Sequence, residues 1–572
     1  MTTSNVQTDT AQTETAQTGS AQTGSVQTGN AQTGTMQHWP LLVWKLIDHA
    51  AANHGSREIV SLTCEGHQVR TNWIEVQARA KQVAAALRRL GVQPGDRVAT
   101  LAWNTHRHVE SWFGISGMGA VAHTINPRLF EDQIVYIANH AEDHVLFFDL
   151  SFLALVEKLA PRLTTIQHYV LLTDRAHMPA QYPLNLRCYE DLIAGEDPAT
   201  PWTEVPETAP SGLCYTSGTT GHPKGVQYSH RANVLHAYAA CMSDVLDVRS
   251  ATTVFPVVPM YHANSWGVPY AAAASGAKLV MAGPNFDPPT IASLIRQESV
   301  TLTLAVPTIW LGMLQHLEST GGDLATLKRV VIGGSAAPRF MIEAFEEKYG
   351  VEVCHAWGMT EMTPLGTVGS LSADALMLPR AQQIDLKCKQ GRAIFGVELK
   401  LVNDEGAELP RNGTAFGRLL VRGPWIVSSY FKGDGGRILD ADGWFDTGDV
   451  ATIDPRGYMQ ITDRSKDVIK SGGEWISSIE IENLAVGCPG VAEAAVIGVA
   501  HRKWDERPLL LIVRKPDSTV SPAEILAFLE GRIAKWWMPD AVEFVDAIPH
   551  TATGKIQKSK LREQFAGYRL AQ

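Results

Sequence analysis

Short apolar runs alternate with helical repeats along most of this chain, and that alternation restricts it to folds in which buried strands lie between layers of helices. Leu42, Val43, Leu46, Ile47 and Ala50 recur at the spacing of one helix face, and residues 73–90 carry a second helical pattern that stops at Gly91. Between and beyond them, residues 59–62, 97–103, 144–148, 169–173, 301–306 and 328–332 read as strands. Two clusters of small or polar residues, Gly333-Gly334-Ser335-Ala336-Ala337-Pro338 and His355-Ala356-Trp357-Gly358-Met359-Thr360-Glu361, are expected directly after strands. Open α/β sheets bind their ligands there, beyond the strand carboxyl ends. At 572 residues the chain is too long for one core. A charged run at 463–467, after a hairpin-like segment at 454–462, marks a boundary. The expected organisation is a disordered tail over 1–37, a large α/β domain over 38–463 and a small α+β domain over 464–572.

Composition narrows the partners. With 45% hydrophobic and 19% charged residues the chain is globular, and a net charge of −10 argues against nucleic acid, which rewards a basic face. The tail repeats a polar pentad, as in Ala16-Gln17-Thr18-Gly19-Ser20, and lacks the charged start and apolar centre of a secretory signal. Seven scattered cysteines without zinc-type spacing fit free thiols in a reducing compartment, so a cytoplasmic location is expected. No apolar run approaches the roughly 20 residues that span a bilayer. A soluble protein is expected, meeting membrane surfaces only through a lipid substrate.

The strongest chemical signal is Tyr215-Thr216-Ser217-Gly218-Thr219-Thr220-Gly221-His222-Pro223-Lys224-Gly225-Val226. Glycines let backbone N–H groups converge on an anion, hydroxyls donate to phosphate oxygens or ligate a cation, and Lys224 adds charge. A Walker loop is excluded, because Pro223 precedes the lysine and Gly225 follows it. Glu361 offers hard oxygen ligands suited to Mg²⁺ on nucleotide phosphates.

Four further strings follow in order: Trp444-Phe445-Asp446-Thr447-Gly448-Asp449, then Arg464, then Lys470-Ser471-Gly472-Gly473-Glu474-Trp475, then Pro549-His550-Thr551-Ala552-Thr553-Gly554-Lys555. With the phosphate loop they resemble the adenylate-forming superfamily of acyl-CoA synthetases, luciferases and peptide-synthetase adenylation domains, over residues 39–569. The resemblance implies a large adenylating domain of several subdomains and a small mobile C-terminal domain. It implies ATP-dependent ligation of a carboxylic acid to CoA through an acyl adenylate, releasing AMP and pyrophosphate.

Residue by residue, it implies that Thr216, Ser217, Gly218, Thr219, Thr220, Gly221 and Lys224 hold phosphates. Glu361, with Thr360 and Thr216, holds Mg²⁺. Ser335, Ala336, His355, Ala356 and Trp357 wall the adenine, and Asp449, assisted by Arg464, takes the ribose hydroxyls. Trp357 stands where tyrosine is usual, keeping a flat face and losing a phenol hydroxyl. Lys555 bridges carboxylate and α-phosphate, and Lys466 marks a hinge. Lys470, Gly472, Gly473, Glu474 and Trp475 form a loop that meets pantetheine after the small domain turns. His262 and Trp266 flank an acyl tunnel, with the small residues 271–276 leaving room for an alkyl chain. The resemblance is strongest to medium- and long-chain fatty acid ligases of the alkane-utilisation type, with a 3-methylmercaptopropionate branch and other short-chain or aryl acid ligases as alternatives. Long-chain members add the expectation of a homodimer. A carrier-protein-loading enzyme and a catalytically silent acyl-nucleotide binder remain open, although the Ser471 to Trp475 loop favours CoA and a silent binder is expected to lose Lys555 or Glu361.

Overall fold

In a computed structural model the alternating runs assemble into four sheets. The structure describes residues 34–216, 222–464, 466–472, 474–551 and 555–570, so the repetitive tail lies outside them up to residue 33. The chain divides into two units, Met1–Trp39 and Pro40–Gln572, and all four sheets belong to the second.

The first expected helix forms as Trp44–His54 with Leu46, Ile47 and Ala50 buried. The second spans Trp73–Arg89, opened by the Asn72 side chain accepting from the Glu75 N–H and followed by Gly91 at φ +88°. Only glycine takes that left-handed position without steric cost, which is why the helix stops there.

In spatial order, one sheet holds Leu186–Cys188, His168–Leu171, Asp143–Phe148, Arg97–Leu101, Val121–Thr124, Pro210–Tyr215 and Gly225–Ser229, parallel except for the last pair. A second has a parallel centre of Glu58–Leu62, Lys278–Met281, Thr253–Pro256, Leu302–Ala305, Arg329–Ile332 and Glu352–Gly358. Val98, Phe147 and Cys214 of the first sheet share one core with Leu279, Leu304 and Val331 of the second. The helix His106–Gly117, buried at every residue, also belongs to that core. Strands covered on both faces have no polar side to alternate with, so they read as continuous apolar runs.

A four-stranded antiparallel sheet follows, Glu398–Val402, Phe416–Arg422, Phe445–Ile453 and Met459–Arg464. The last sheet, from Ile469–Ser471 to Ala541–Phe544, has its own apolar clusters and forms the small C-terminal domain. No described helix is long and apolar enough to cross a membrane.

Two expectations change. Residues 355–358 are the end of the strand Glu352–Gly358 rather than a loop beyond it, because Leu365–Val368 folds back and pairs with Ala356 and Trp357. The small run at 271–276 lies in and just after the helix Val268–Ser275, with Ala271, Ala272 and Ala273 fully buried. A Cβ on Gly276 would collide with the His54 ring. The missing side chain at Gly276 admits the end of the helix Trp44–His54.

Candidate active site

Strand pairing of Tyr215 with Gly225 makes 216–224 the loop of a hairpin. Its mouth is closed by two hydrogen bonds: the Thr216 N–H donates to the Lys224 carbonyl at 2.9 Å, and the Lys224 N–H donates to Thr216 Oγ1 at 3.1 Å. Ser217, Gly218, Thr219, Thr220 and Gly221 lie outside the described residues. Thr216 and Lys224 line a cavity of about 490 Å³ at the carboxyl ends of strands from both large sheets. The Lys224 ammonium sits 4.8 Å from the Tyr430 ring centre, and a Cβ on Gly435, at φ +77°, would come within 2.9 Å of it. His222 stacks on Tyr136 at 4.5 Å, Tyr136 stacks on His140, and His140 shares a 2.8 Å hydrogen bond with the Tyr215 hydroxyl. Nothing in the local sequence ties 136–140 or 430–435 to the loop, since these contacts depend on chain packing alone.

Glu361 stands in the single turn Thr360–Met362. The Tyr228 hydroxyl donates to the Thr360 carbonyl at 2.7 Å and the Val427 N–H donates to the Glu361 carbonyl at 2.8 Å, fixing that turn from two sides. The Glu361 carboxylate is 8% exposed and accepts from the Tyr430 hydroxyl at 2.8 Å. Glu361, Thr360 and Thr216 share the cavity wall with Lys224. Mg²⁺ carried on phosphates keeps most of its coordination to phosphate and water oxygens, so one carboxylate and one hydroxyl fit it. Among the described residues no group of three His, Cys, Asp or Glu side chains could hold a metal ion by itself.

Asp449 and Arg464 are partners on adjacent strands, and Arg464 Nε lies 2.9 Å from Asp449 Oδ1. The other oxygen, Oδ2, accepts the Trp357 indole N–H at 3.0 Å. Trp357 thus keeps more than a flat face: its N–H orients the buried carboxylate. Each carboxylate oxygen takes more than one hydrogen bond, so acceptor capacity remains. Asp446, Thr447, Gly448 and Arg464 form the cavity wall, and Asp449 itself sits just behind it, 3% exposed. Ala356 and Trp357 line the cavity, whereas Gly333 and Gly334 do so in place of the expected Ser335 and Ala336, which sit off the wall. His355 is fully buried behind it, its Nε2 accepting from the Ala337 N–H at 3.3 Å. Burial pushes its pKa down to about 4, so it stays neutral and props the glycine turn.

Lys555 reaches the same cavity from the C-terminal domain. The Thr551 N–H donates to the Lys555 carbonyl at 2.7 Å and the Lys555 N–H donates to Thr551 Oγ1 at 3.1 Å, closing the loop that carries it. Burial, then the Arg464 cation, push the Lys555 pKa down to about 8, while Asp449 and Glu361 oppose the shift. His262 also lines the cavity, and burial with the nearby Lys555 charge pushes its pKa down to about 4.

Trp266 belongs to a left-handed turn in which Ala263, Asn264, Ser265 and Trp266 have φ of +42° to +53°, ending at Gly267. Each such non-glycine residue costs roughly 1–2 kcal/mol. The turn is held by Ser265 Oγ donating to the Val258 carbonyl at 2.7 Å and by Cys214 Sγ donating to Asn264 Oδ1 at 3.1 Å. The result is an indole whose tip a Cβ on Gly333 would meet at 3.0 Å. Strain of this kind persists only where the surroundings over-determine it.

The remaining expected residues are elsewhere. Lys466 and Lys470 are exposed, and neither they nor Gly472 line the cavity. Gly472, at φ +60°, donates its N–H to the Trp504 carbonyl at 2.9 Å and turns the hairpin that pairs Ser471 with Glu474. Gly473 and the side chains of Glu474 and Trp475 lie outside the description.

Residues 47–431 match the family of AMP-binding enzymes, and residues 480–555 match the AMP-binding enzyme C-terminal domain. The chain is 53% identical to a 3-methylmercaptopropionyl-CoA ligase of Ruegeria lacuscaerulensis, over 91% of this chain and 96% of the relative. It is 48% identical to a medium-chain-fatty-acid–CoA ligase of Ectopseudomonas oleovorans, over 91% and 95%. The crystal structure of the anthranilate CoA ligase AuaEII with anthranoyl-AMP superimposes with a TM-score of 0.82 at 27% identity, covering 93% of this chain and 99% of that one.

Proposed function

The chain belongs to the AMP-binding enzyme family and is an ATP-dependent acyl-CoA ligase, and we propose that its acid is short, of the size of 3-methylmercaptopropionate. The cavity carries this reading: one space of about 490 Å³ receives both nucleotide and acid, and Tyr261, His262 and Trp266 stand on its wall. The small residues at 271–276 pack in the helix Val268–Ser275 and against His54, and none of them lines that space. A medium-chain fatty acid is the second reading. It is favoured by the 48% identical relative and by Trp266, whose indole tip lies against Gly333 on the cavity wall.

A carboxylate oxygen of the acid bonds to the α-phosphorus of ATP and pyrophosphate leaves. The CoA sulfur, as thiolate, then bonds to the acyl carbon and AMP leaves with the bonding electron pair. Adenylation is needed because a bare carboxylate offers a thiol no leaving group. Lys224 and the hairpin loop hold the phosphates. Asp449, oriented by Trp357 and Arg464, takes the ribose hydroxyls. Glu361 and Thr216 would supply oxygens for Mg²⁺, which when bound would neutralise phosphate charge. Lys555 donates to the attacking carboxylate and the α-phosphate, stabilising charge that grows in the transition state. Lys555 on the cavity wall, with Lys470 and Gly472 off it, supports reading this arrangement as the one for adenylation. The thioester step requires residues from 464 onward to turn about Lys466 and present the hairpin.

A lysine titrating at about 8 is cationic below that pH and loses its charge above it. Pyrophosphate exchange in the kcat/KM regime is therefore expected to fall as pH rises through about 8, and Lys555→Arg, which keeps its charge, is expected to flatten that limb. The substrate reading is tested by CoA-dependent AMP release from propionate to palmitate, with 3-methylmercaptopropionate and aryl acids included. A kcat/KM maximum at short or thioether acids is expected. A steady rise through the long-chain acids overturns it.

A further inference from the structure

Lys224 and Glu361 carry opposite charges on one cavity wall, yet among the described residues no ion pair joins them. Tyr430 touches both. Its hydroxyl donates to Glu361 Oε1 at 2.8 Å, and its ring centre lies 4.8 Å from Lys224 Nζ. A direct pair in this partly desolvated space would turn both groups away from the nucleotide that each is placed to meet. A neutral hydroxyl on the carboxylate and a π face under the ammonium satisfy each charge without cancelling it.

The segment that carries Tyr430 is fastened independently. Phe431 packs edge-on against the His140 ring at 5.6 Å and would contact a Cβ on Gly225 at 3.0 Å. Lys432 pairs with Glu142 at 2.6 Å, and Gly435 closes on Lys224 Nζ. The Phe431–His140 and Lys432–Glu142 contacts thus hold the segment from the helix Glu131–Ala141 and the residue after it, apart from the two charges that the ring serves.

We propose that Tyr430 is a positioning residue that holds Lys224 and Glu361 apart, so that the ammonium stays available to phosphate and the carboxylate to the metal ion. This rests on the phosphate and Mg²⁺ roles given to those two residues above. The hydroxyl acts on the metal side and the ring on the phosphate side, so the two functions separate by substitution. Tyr430→Phe removes only the hydrogen bond to Glu361. Tyr430→Leu also removes the ring and lets Lys224 turn onto the carboxylate.

The test combines two measurements on the full-length enzyme and these variants: a Mg²⁺ titration of pyrophosphate exchange, and calorimetric binding of ATP in chelator without metal. Tyr430→Phe is expected to raise the Mg²⁺ needed for half-maximal exchange about fivefold, with metal-free ATP binding unchanged. Tyr430→Leu is expected also to weaken metal-free ATP binding about tenfold, and adding Glu361→Gln to it is expected to restore most of that loss. An unchanged Mg²⁺ dependence in Tyr430→Phe overturns the inference, as does equal behaviour of the Phe and Leu variants. If Tyr430→Leu does not fold, the Phe variant decides. Absence of Mg²⁺-dependent exchange in the unmodified enzyme would instead overturn the metal and phosphate roles themselves.

Discussion

Lys555→Ala is expected to slow adenylation about 100-fold or more while thioester formation from supplied acyl adenylate stays close to the unmodified rate. Removing one preorganised donor from developing charge costs roughly 3 kcal/mol of transition-state stabilisation, which sets that magnitude. The lysine meets the conditions for such an effect. It is on the cavity wall, its loop is closed by the Thr551 bonds, and burial has already stripped much of its hydration. A structural role is separable, because a half-buried ammonium with a lowered pKa is a charge the fold accommodates at a cost. Its removal is expected to leave the thermal midpoint undiminished at pH 7. The pair of assays is pyrophosphate exchange for the first step and single-turnover thioester formation from purified acyl adenylate for the second. Equal losses in both would remove Lys555 from a role confined to adenylation.

The parts of this site that were legible in the sequence are those in which chemistry and local geometry coincide. The string from Tyr215 to Val226 announces a phosphate-holding loop because its glycines and hydroxyls are contiguous, whereas the antiparallel strands that pair on either side of it were not expected. The left-handed turn at 263–267 was not legible. Asn264 tolerates such a conformation, but alanine, serine and tryptophan carry no signal for it, and it exists because Val258 and Cys214 hold it from outside. Tyr430 was invisible for a similar reason. It is a single tyrosine in an irregular segment, and its meaning comes from Lys224 and Glu361, more than 200 and nearly 70 positions away in the chain. The alanine run after Tyr270 is ambiguous in the opposite way. Small side chains in sequence show that something approaches closely without saying what, and in the fold the helix Trp44–His54 packs there. Trp357 lies between these cases. Its flat face is implied by residue type, whereas the partner of its N–H depends on the register between Phe445–Ile453 and Met459–Arg464, which places Asp449 beside Arg464.

That carboxylate is the site of the second large effect: Asp449→Ala is expected to raise the KM for ATP about 100-fold or more, with a smaller change in kcat. Hydrogen bonds to a charged acceptor contribute about 1.5–3 kcal/mol each, and two ribose hydroxyls together reach the roughly 3 kcal/mol that this factor represents. The substitution also leaves the Trp357 N–H and the Arg464 guanidinium without their acceptor just behind the wall, where Asp449 is only 3% exposed. Asp449→Asn is no conservative control. Its amide nitrogen would point a donor at either the indole N–H or the guanidinium, so a large part of the loss is expected to remain. The readout that separates ribose recognition from a disturbed wall is nucleotide discrimination. The unmodified enzyme is expected to prefer ATP over 2′-deoxy-ATP and 3′-deoxy-ATP about tenfold each, and Asp449→Ala to accept all three almost equally. If the variant keeps the preference while its KM rises, the carboxylate supports the wall through Trp357 and Arg464 and the ribose is bound by other groups.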